Sequence, residues 1–201
     1  LERKGARVAF VTTQGFGDMF ALGRGFPSGG EMFNLLYVKP EGFIGREMCF
    51  ELPERMTSQG TPLRPLDEDA ARGLVQQIAA SQPDAVAVSL LHSYVNDAHE
   101  ARFAEILRET LPDIYLALSS RIWPEREEYE RGATTLVSAY IGPTLAAYLE
   151  RLEQELDAQG IGCPLQIMQS NGGVMGVGDA AARAVYTLES GPAAGVVSAG
   201  R

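Results

Sequence analysis

The chain has 201 residues with 26 acidic against 17 basic side chains, a formal net charge of −9, so it lacks the basic face through which nucleic acid is held. A hydrophobic share of 45% and a charged share of 21% belong to an ordinary globular protein, long enough for one substantial domain or one domain and part of another. There is no apolar run of about eighteen residues to cross a membrane as a helix; two cysteines and two histidines exclude a disulfide framework and an all-protein zinc site and fit a reduced, cytoplasmic setting.

Leu1-Glu-Arg-Lys4 has no Met and no apolar signal core. It reads as the end of a helix, and the chain is expected to be an internal piece of a longer one. Arg7-Val-Ala-Phe-Val-Thr-Thr13, bounded by glycines, is a buried strand. Ligands of open α/β sheets sit beyond the carboxyl ends of strands, so Thr12, Thr13 and Gly15 are candidate wall residues of a site. The alternative is a plain strand-to-helix turn capped by Asp18. From Gly23 to Pro65 glycine and proline recur, and strands are expected only at Asn34–Val38 and Arg46–Leu52. In the second, Met48, Phe50 and Leu52 alternate with Glu47, Cys49 and Glu51, the mark of one buried face. Glu54 and Arg55 read as a solvated ion pair.

Regular alternation of helix and strand begins at Leu66. Asp67 caps a helix over 68–81 whose inner face is Ala71, Leu74, Val75, Ile78 and Ala79. Residues 85–91 are apolar without alternation, as in a parallel strand covered on both faces. His92 at its end reads as a structural residue. Asp97 and Glu100 have capping-box spacing at the start of the next helix, which leaves His99 solvated in its first turn. A third strand covers 114–120, and the two strand–helix–strand units imply parallel crossovers.

Trp123–Arg131 is densely charged, with Glu127 and Arg131 at ion-pair spacing on a helix. A long amphipathic helix over 133–160 follows, with Pro143 expected to kink or break it near 139–142. Arg126 and Arg131 can be read as phosphate ligands or as members of a structural network. Pro164–Val174 is a strand running into Ser170-Asn171-Gly172-Gly173, either an anion-holding loop or a tight turn. A short helical piece at 180–183 and a last strand lead to Ser190-Gly-Pro-Ala-Ala-Gly195, where Pro192 opens a helix of very small residues. Glycine there costs about 1 kcal/mol relative to alanine, so close approach of another element is expected to favour it.

Several of these strings resemble the hydantoinase A/5-oxoprolinase family: Thr12-Thr-x-Gly-Phe-x-Asp18, Glu54-Arg55, His92-Ser-Tyr with His99-Glu100, the block around Tyr129, Met168-Gln-Ser-Asn-Gly-Gly173 and Ser190–Gly195. Arg24–Gly30 departs from the family's Arg-x-x-Arg-Pro run, and Ser138 stands where Asn is usual. The resemblance implies an α/β fold, a ribonuclease H-like or actin-like ATPase lobe of parallel strand–helix units incomplete at both ends. It implies an N-terminal region at 1–122 and the start of a hydantoinase A domain at 123–201. The implied activity is ATP-dependent opening of a cyclic amide, with Mg²⁺, through phosphoryl activation of a carbonyl. The alternatives are an ATP-using subunit of an acetone-type carboxylase, acting on a ketone, and a noncatalytic nucleotide-binding module. It further implies a hydantoinase B-type partner and an oligomer. The ATP-cleft edge falls to Ser170, Asn171, Gly172, Gly173, Ser190, Gly191 and Gly195, while the family's phosphate loops lie outside these 201 residues. Neither catalytic residues nor metal ligands follow from the resemblance.

Overall fold

The computed structural model describes residues 5–23, 33–38 and 42–200. The N-terminal helix end and the Arg24–Gly30 departure lie outside them. Strand β1 (Val8–Thr13) is buried along its whole length because it has a parallel neighbour on each side. The sheet order is β2 (Cys49–Leu52), β1, β5 (Ala85–Ser89), β6 (Tyr115–Leu118). Val11 pairs with Phe50 on one side and Val88 on the other, and Val88 in turn with Leu118. Between β2 and β5 lie a small antiparallel ribbon, β3 (Arg55–Met56) with β4 (Pro62–Arg64), and helix α2 (Glu68–Ala80).

Side chains alternate across the strands, so the sheet presents two apolar faces. Ala9, Val11, Val86 and Val88 meet Leu74, Val75 and Ile78 of α2 and Phe103, Ile106 and Leu107 of α3 (Ala98–Thr110). Val8, Phe10, Ala85, Ala87 and Ala117 meet Leu136 and Ala139 of α5 (Glu128–Ala158) on the other. Each of the larger of these, the valines, leucines, isoleucines and phenylalanines, contributes roughly 1.5–3 kcal/mol when fully buried. Double coverage also explains Cys49. The sequence puts it on an exposed face of β2, but the second layer buries it. The inner face expected for α2 is present, and Asp67 caps it by accepting the Ala70 N–H at 3.0 Å.

Pro143 does not break α5, which runs unbroken for 31 residues. Tertiary contacts on both sides of the proline outweigh its lost hydrogen bond. The Tyr140 carbonyl, in the turn before Pro143, accepts the Ala6 N–H at 2.9 Å. Two glycines let the helix lie close to the sheet. A Cβ on Gly142 would run into the Tyr115 ring, and one on Gly132 would come within 2.6 Å of Met19 Cε and 3.3 Å of Phe10 Cζ. Met19 lies in the four-residue helix α1 (Met19–Leu22) on the same face.

Three further elements differ from expectation. Residues 34–38 are not a strand: Asn34 Oδ1 accepts the Leu36 N–H at 3.0 Å, and the resulting turn leaves Leu35, Leu36 and Val38 exposed. Residues 123–127 are not helical, and α5 begins only at Glu128 after the short helix α4 (Ser119–Ile122). The last strand expected before Ser190 is a 3-10 turn, Ala184–Thr187, anchored by Tyr186 Oη donating to the Ile122 carbonyl at 2.8 Å. The remainder is the hairpin β7 (Gln166–Met168) with β8 (Val174–Gly176), then α6 (Val177–Ala182) and α7 (Ser190–Ala199).

Candidate functional site at the carboxyl edge of the sheet

Strand order defines where a ligand site belongs. From β1 the chain passes to β2 on one side, then returns across β1 to β5 on the other. Helix α1 packs on the α5 face, whereas α2 and α3 pack on the opposite face. The winding therefore reverses between β1 and β5, the position at which open α/β sheets place a ligand crevice beyond the strand carboxyl ends.

Beneath that crevice lies a lattice of buried polar groups. The Thr13 hydroxyl donates to Glu54 Oε1 and accepts the Leu91 N–H at 3.0 Å. Glu54 Oε2 shares a 2.7 Å hydrogen bond with His99 Nδ1. Glu54 is 2% exposed and His99 9%, so the solvated ion pair expected of Glu54 and Arg55 and the solvated His99 are both overturned. The Glu54 side chain turns inward because the first turn of α3 brings His99 against it. The capping box is also absent. Asp97 makes no side-chain cap bond, and Glu100 points down the sheet edge, accepting the Leu90 N–H at 2.9 Å, the Ser119 hydroxyl at 2.6 Å and the Ser120 N–H at 3.0 Å. A buried carboxylate needs several donors, and strand-end N–H groups supply them better than the helix terminus does.

Arg131 closes the lattice. It is 1% exposed and makes no ion pair with Glu127. Its Nη2 donates to the Leu90 carbonyl at 2.9 Å, Nε to the Ser119 hydroxyl at 3.2 Å and Nη1 to the Glu125 carbonyl at 2.7 Å, and the guanidinium stacks 5.4 Å from the Tyr94 ring centre. Burial lowers its pKa, and the Coulomb field of Glu100 opposes that shift. The Ser119 hydroxyl thus bridges a buried cation and a buried anion. Of the two readings left open for Arg131, the structural network is the one present.

The rim is made of different residues. Arg55 lies 5.2 Å over the ring of Phe16 in the β1 loop. His92, just past β5, adopts a left-handed backbone at φ 58° and its ring meets Tyr94 edge-on at 6.0 Å. Burial, followed by the charge of Arg55, lowers its pKa. Gly15 is exposed on the same loop, its N–H bonded to Glu51 at 2.8 Å. Thr12 and Thr13, expected in the wall, lie beneath it at 3% and 1% exposure. Asp18 starts α1 without capping it, accepting Arg46 Nε at 2.7 Å instead.

The remaining expected site residues form a second cluster. Ser170 donates to the Tyr186 carbonyl at 2.8 Å and to the Leu188 carbonyl, tying the hairpin turn to the segment that enters α7. A Cβ on Gly172, where φ is +84°, would lie 3.2 Å from Val197. The turn meets Leu188 and Val197, which flank Ser190–Gly195, and three of its four N–H groups are occupied, that of Ser170 by the Tyr186 carbonyl at 2.8 Å. Gly172 donates to the Gln169 carbonyl at 3.0 Å and Gly173 to Asn171 Oδ1 at 2.8 Å. Gly191 and Gly195 face open space and α7 buries no residue, so the close approach expected there is not made among the described residues. No hydrogen bond among the described residues joins this cluster to Thr12, Thr13 or Gly15.

The fold and its crevice define an α/β lobe with parallel strand–helix units and a site at the switch between two central strands. The chain belongs to the hydantoinase/oxoprolinase family: residues 1–111 match the hydantoinase/oxoprolinase N-terminal region and residues 131–201 match hydantoinase/oxoprolinase. It is similar to the caprolactamase subunit alpha of Pseudomonas jessenii, 31% identical over 193 residues, 96% of this chain and 28% of the relative. The 5-oxoprolinase of Saccharomyces cerevisiae is 28% identical over 224 residues, 98% of this chain and 17% of the relative. The crystal structure of the ATP-dependent caprolactamase from P. jessenii superposes with a TM-score of 0.83 at 30% identity, over 96% of this chain and 28% of that one. The nucleotide-free structure of acetone carboxylase does so at 0.85 and 26% identity, over 98% and 29%. These neighbours are consistent with an actin-like ATPase lobe. The chain spans less than a third of the length of each.

Sequence reasoning missed the buried roles of Glu54, His99, Glu100 and Arg131. A signal was present nonetheless: the family-like strings that contain them are up to 77 residues apart in the chain (Glu54 to Arg131), yet all meet at one sheet edge.

Proposed function

We propose that this chain acts within a longer ATP-dependent enzyme that opens a cyclic amide by phosphoryl activation of its carbonyl, with the β1–β5 crevice on the substrate side. The convergence of the Thr13, Glu54, His92, His99, Glu100 and Arg131 strings on that crevice carries the reading. The ATP dependence of the caprolactamase from P. jessenii supports the cofactor. ATP and Mg²⁺ would supply the phosphoryl group and charge neutralisation. The described residues do not fit a phosphate cradle, because the Gly172 and Gly173 N–H groups already have partners. They also contain no cluster of three or more metal-ligating side chains. What this chain supplies is a hydrogen-bonded crevice floor, in which the Ser120 hydroxyl alone is buried without a partner among the described residues, and a cationic rim, which orient a substrate and stabilise charge developing on its oxygen.

The hairpin turn and α7 are the part assigned to the edge of the nucleotide cleft, with α7 leading into a second lobe. An apolar groove of about 520 Å³ between α5 and Leu188, lined by Tyr140, Ile141, Leu145 and Tyr148, gives that lobe a surface to pack on. A companion subunit of hydantoinase B type is expected, in line with the subunit name of the caprolactamase relative. A cytoplasmic location accords with the exposed free thiol of Cys163. Acetone carboxylase, with its TM-score of 0.85, favours a second reading, an ATP-using carboxylase subunit acting on a ketone. The test is ADP release by the full-length chain, with and without its companion, against lactams, 5-oxoproline, hydantoins, and ketones with bicarbonate. Amide-dependent ADP release supports the first reading, and release only with ketone and bicarbonate moves the assignment to the second. Release independent of every substrate overturns both. The isolated 201-residue chain is expected to hydrolyse no ATP.

A further inference from the structure

We propose that Arg55 and His92 together bind a small oxyanion at the mouth of the β1–β5 crevice, an inference that rests on the substrate-side reading above. Arg46, Arg72 and Arg102 each hold carboxylates. Arg55 holds none among the described residues, although Glu54 is its neighbour in sequence, because both oxygens of Glu54 are taken by Thr13 and His99. The residue is half-buried and its guanidinium lies against the Phe16 ring. Stacking uses the flat face of the group and leaves its N–H edge directed outward.

His92 reaches the same place through the lattice. Glu54, adjacent to Arg55, bonds Thr13, and Thr13 bonds the N–H of Leu91, adjacent to His92. The turn after β5 locks the residue, since the His92 carbonyl accepts the N–H groups of Val95 at 2.9 Å and Asn96 at 3.2 Å. Neither ring nitrogen has a hydrogen-bond partner among the described residues. A left-handed backbone on a non-glycine residue is held only where the surroundings impose it, and such residues cluster at functional sites. The charges around the ring are Arg55, Arg131 and Arg126 against Glu128, a local surplus of positive charge in a chain of net −9. With burial and Arg55 holding its pKa down, the ring is neutral near pH 7 and offers one N–H donor beside a fixed cation. A charge and a donor side by side on a half-buried rim suit a phosphoryl or carboxylate oxygen.

The test is arginine labelling by phenylglyoxal in the full-length chain, read residue by residue by peptide mass spectrometry, with inorganic phosphate as probe. The expected result is that Arg55 labels in the free protein and that phosphate slows its labelling about tenfold, while the carboxylate-paired surface residue Arg72 is unaffected. His92→Asn keeps a residue type tolerant of the left-handed backbone and should raise the phosphate concentration needed several-fold. Protection by phosphate alone identifies a free oxyanion as the ligand; protection appearing only with ATP and substrate together identifies the phosphoryl group on the activated substrate. An Arg55 that does not label, that labels equally with and without these additions, or that is protected by ATP alone overturns the proposal. Substrate-dependent ADP release is measured on the same preparation, so a failed oxyanion site with intact turnover is distinct from a failed functional reading.

Discussion

Replacing Arg131 with methionine removes the cation from the lattice under the crevice while keeping most of the side chain's volume. Its hydrogen bonds are not of equal weight. The carbonyls of Glu125 and Arg126 belong to exposed residues, so water replaces the guanidinium there at little cost. The Leu90 carbonyl and the Ser119 hydroxyl are buried, but the hydroxyl keeps Glu100 and Ser93 as partners, so the loss falls on the carbonyl, which keeps only a long 3.4 Å bond from the Ser93 N–H; a buried polar group left poorly satisfied costs about 1–3 kcal/mol. Glu100, fully buried, also loses its nearest cation. Breaking a direct buried ion pair costs about 3–5 kcal/mol, but here a hydroxyl bridges the charges, which places the total at about 2–4 kcal/mol. At about 2–4 °C per kcal/mol for a chain of this size, the midpoint should fall by roughly 4–16 °C. Urea and thermal unfolding of wild type, Arg131→Met and Arg131→Lys measure it. Lysine keeps the charge but not the fork, and should fall between the other two. A methionine variant within about 0.5 kcal/mol of wild type, the range of an ordinary surface substitution, would refute the claim that the lattice holds the sheet edge together.

Gly142→Ala and Gly73→Ala should move stability in opposite directions. Both gain up to about 1 kcal/mol of helix propensity, but at Gly142 the new methyl meets the Tyr115 ring and overpacking costs about 1–3 kcal/mol, whereas at Gly73 nothing lies within 4 Å. Urea midpoints of the two variants check this. Burial raises the Cys49 thiol pKa to about 11, so in the native state at pH 8 iodoacetamide should modify the exposed Cys163 and spare Cys49 until the chain is unfolded, read by mass spectrometry. Because the His92 pKa lies below its ordinary value, the unfolded chain takes up a proton that the folded chain resists. Its contribution is therefore harmless above about pH 6.5 and becomes destabilising as the pH falls below it. Stability measured from pH 7 to 5 should decline less steeply in His92→Asn than in wild type.

What was legible in the sequence divides along physical lines. Strands β1 and β5, helix α2 and its Asp67 cap follow from local pattern alone, and the structure has them. The lattice was not legible, because charge and spacing place Glu100 and Arg131 on solvated helix turns. It takes two strand ends, those of β5 and β6, brought side by side to give Glu100 its donors and Arg131 its buried acceptors. Pro143 misled for a related reason: local rules price the lost hydrogen bond, but not the contacts of Gly132, Gly142 and Ala6 that hold α5 against the sheet. The small residues of α7 are plain in sequence, yet among the described residues they pack against little.

Hydrogen–deuterium exchange of the full-length chain, with and without a cyclic amide and a nonhydrolysable ATP analogue, tests the central claim most directly. Amide with nucleotide should slow exchange in the loops at 14–17, 54–56 and 90–96, beyond the slowing at 168–200 caused by nucleotide alone. Protection confined to 168–200 under every condition would contradict a substrate-side crevice between β1 and β5.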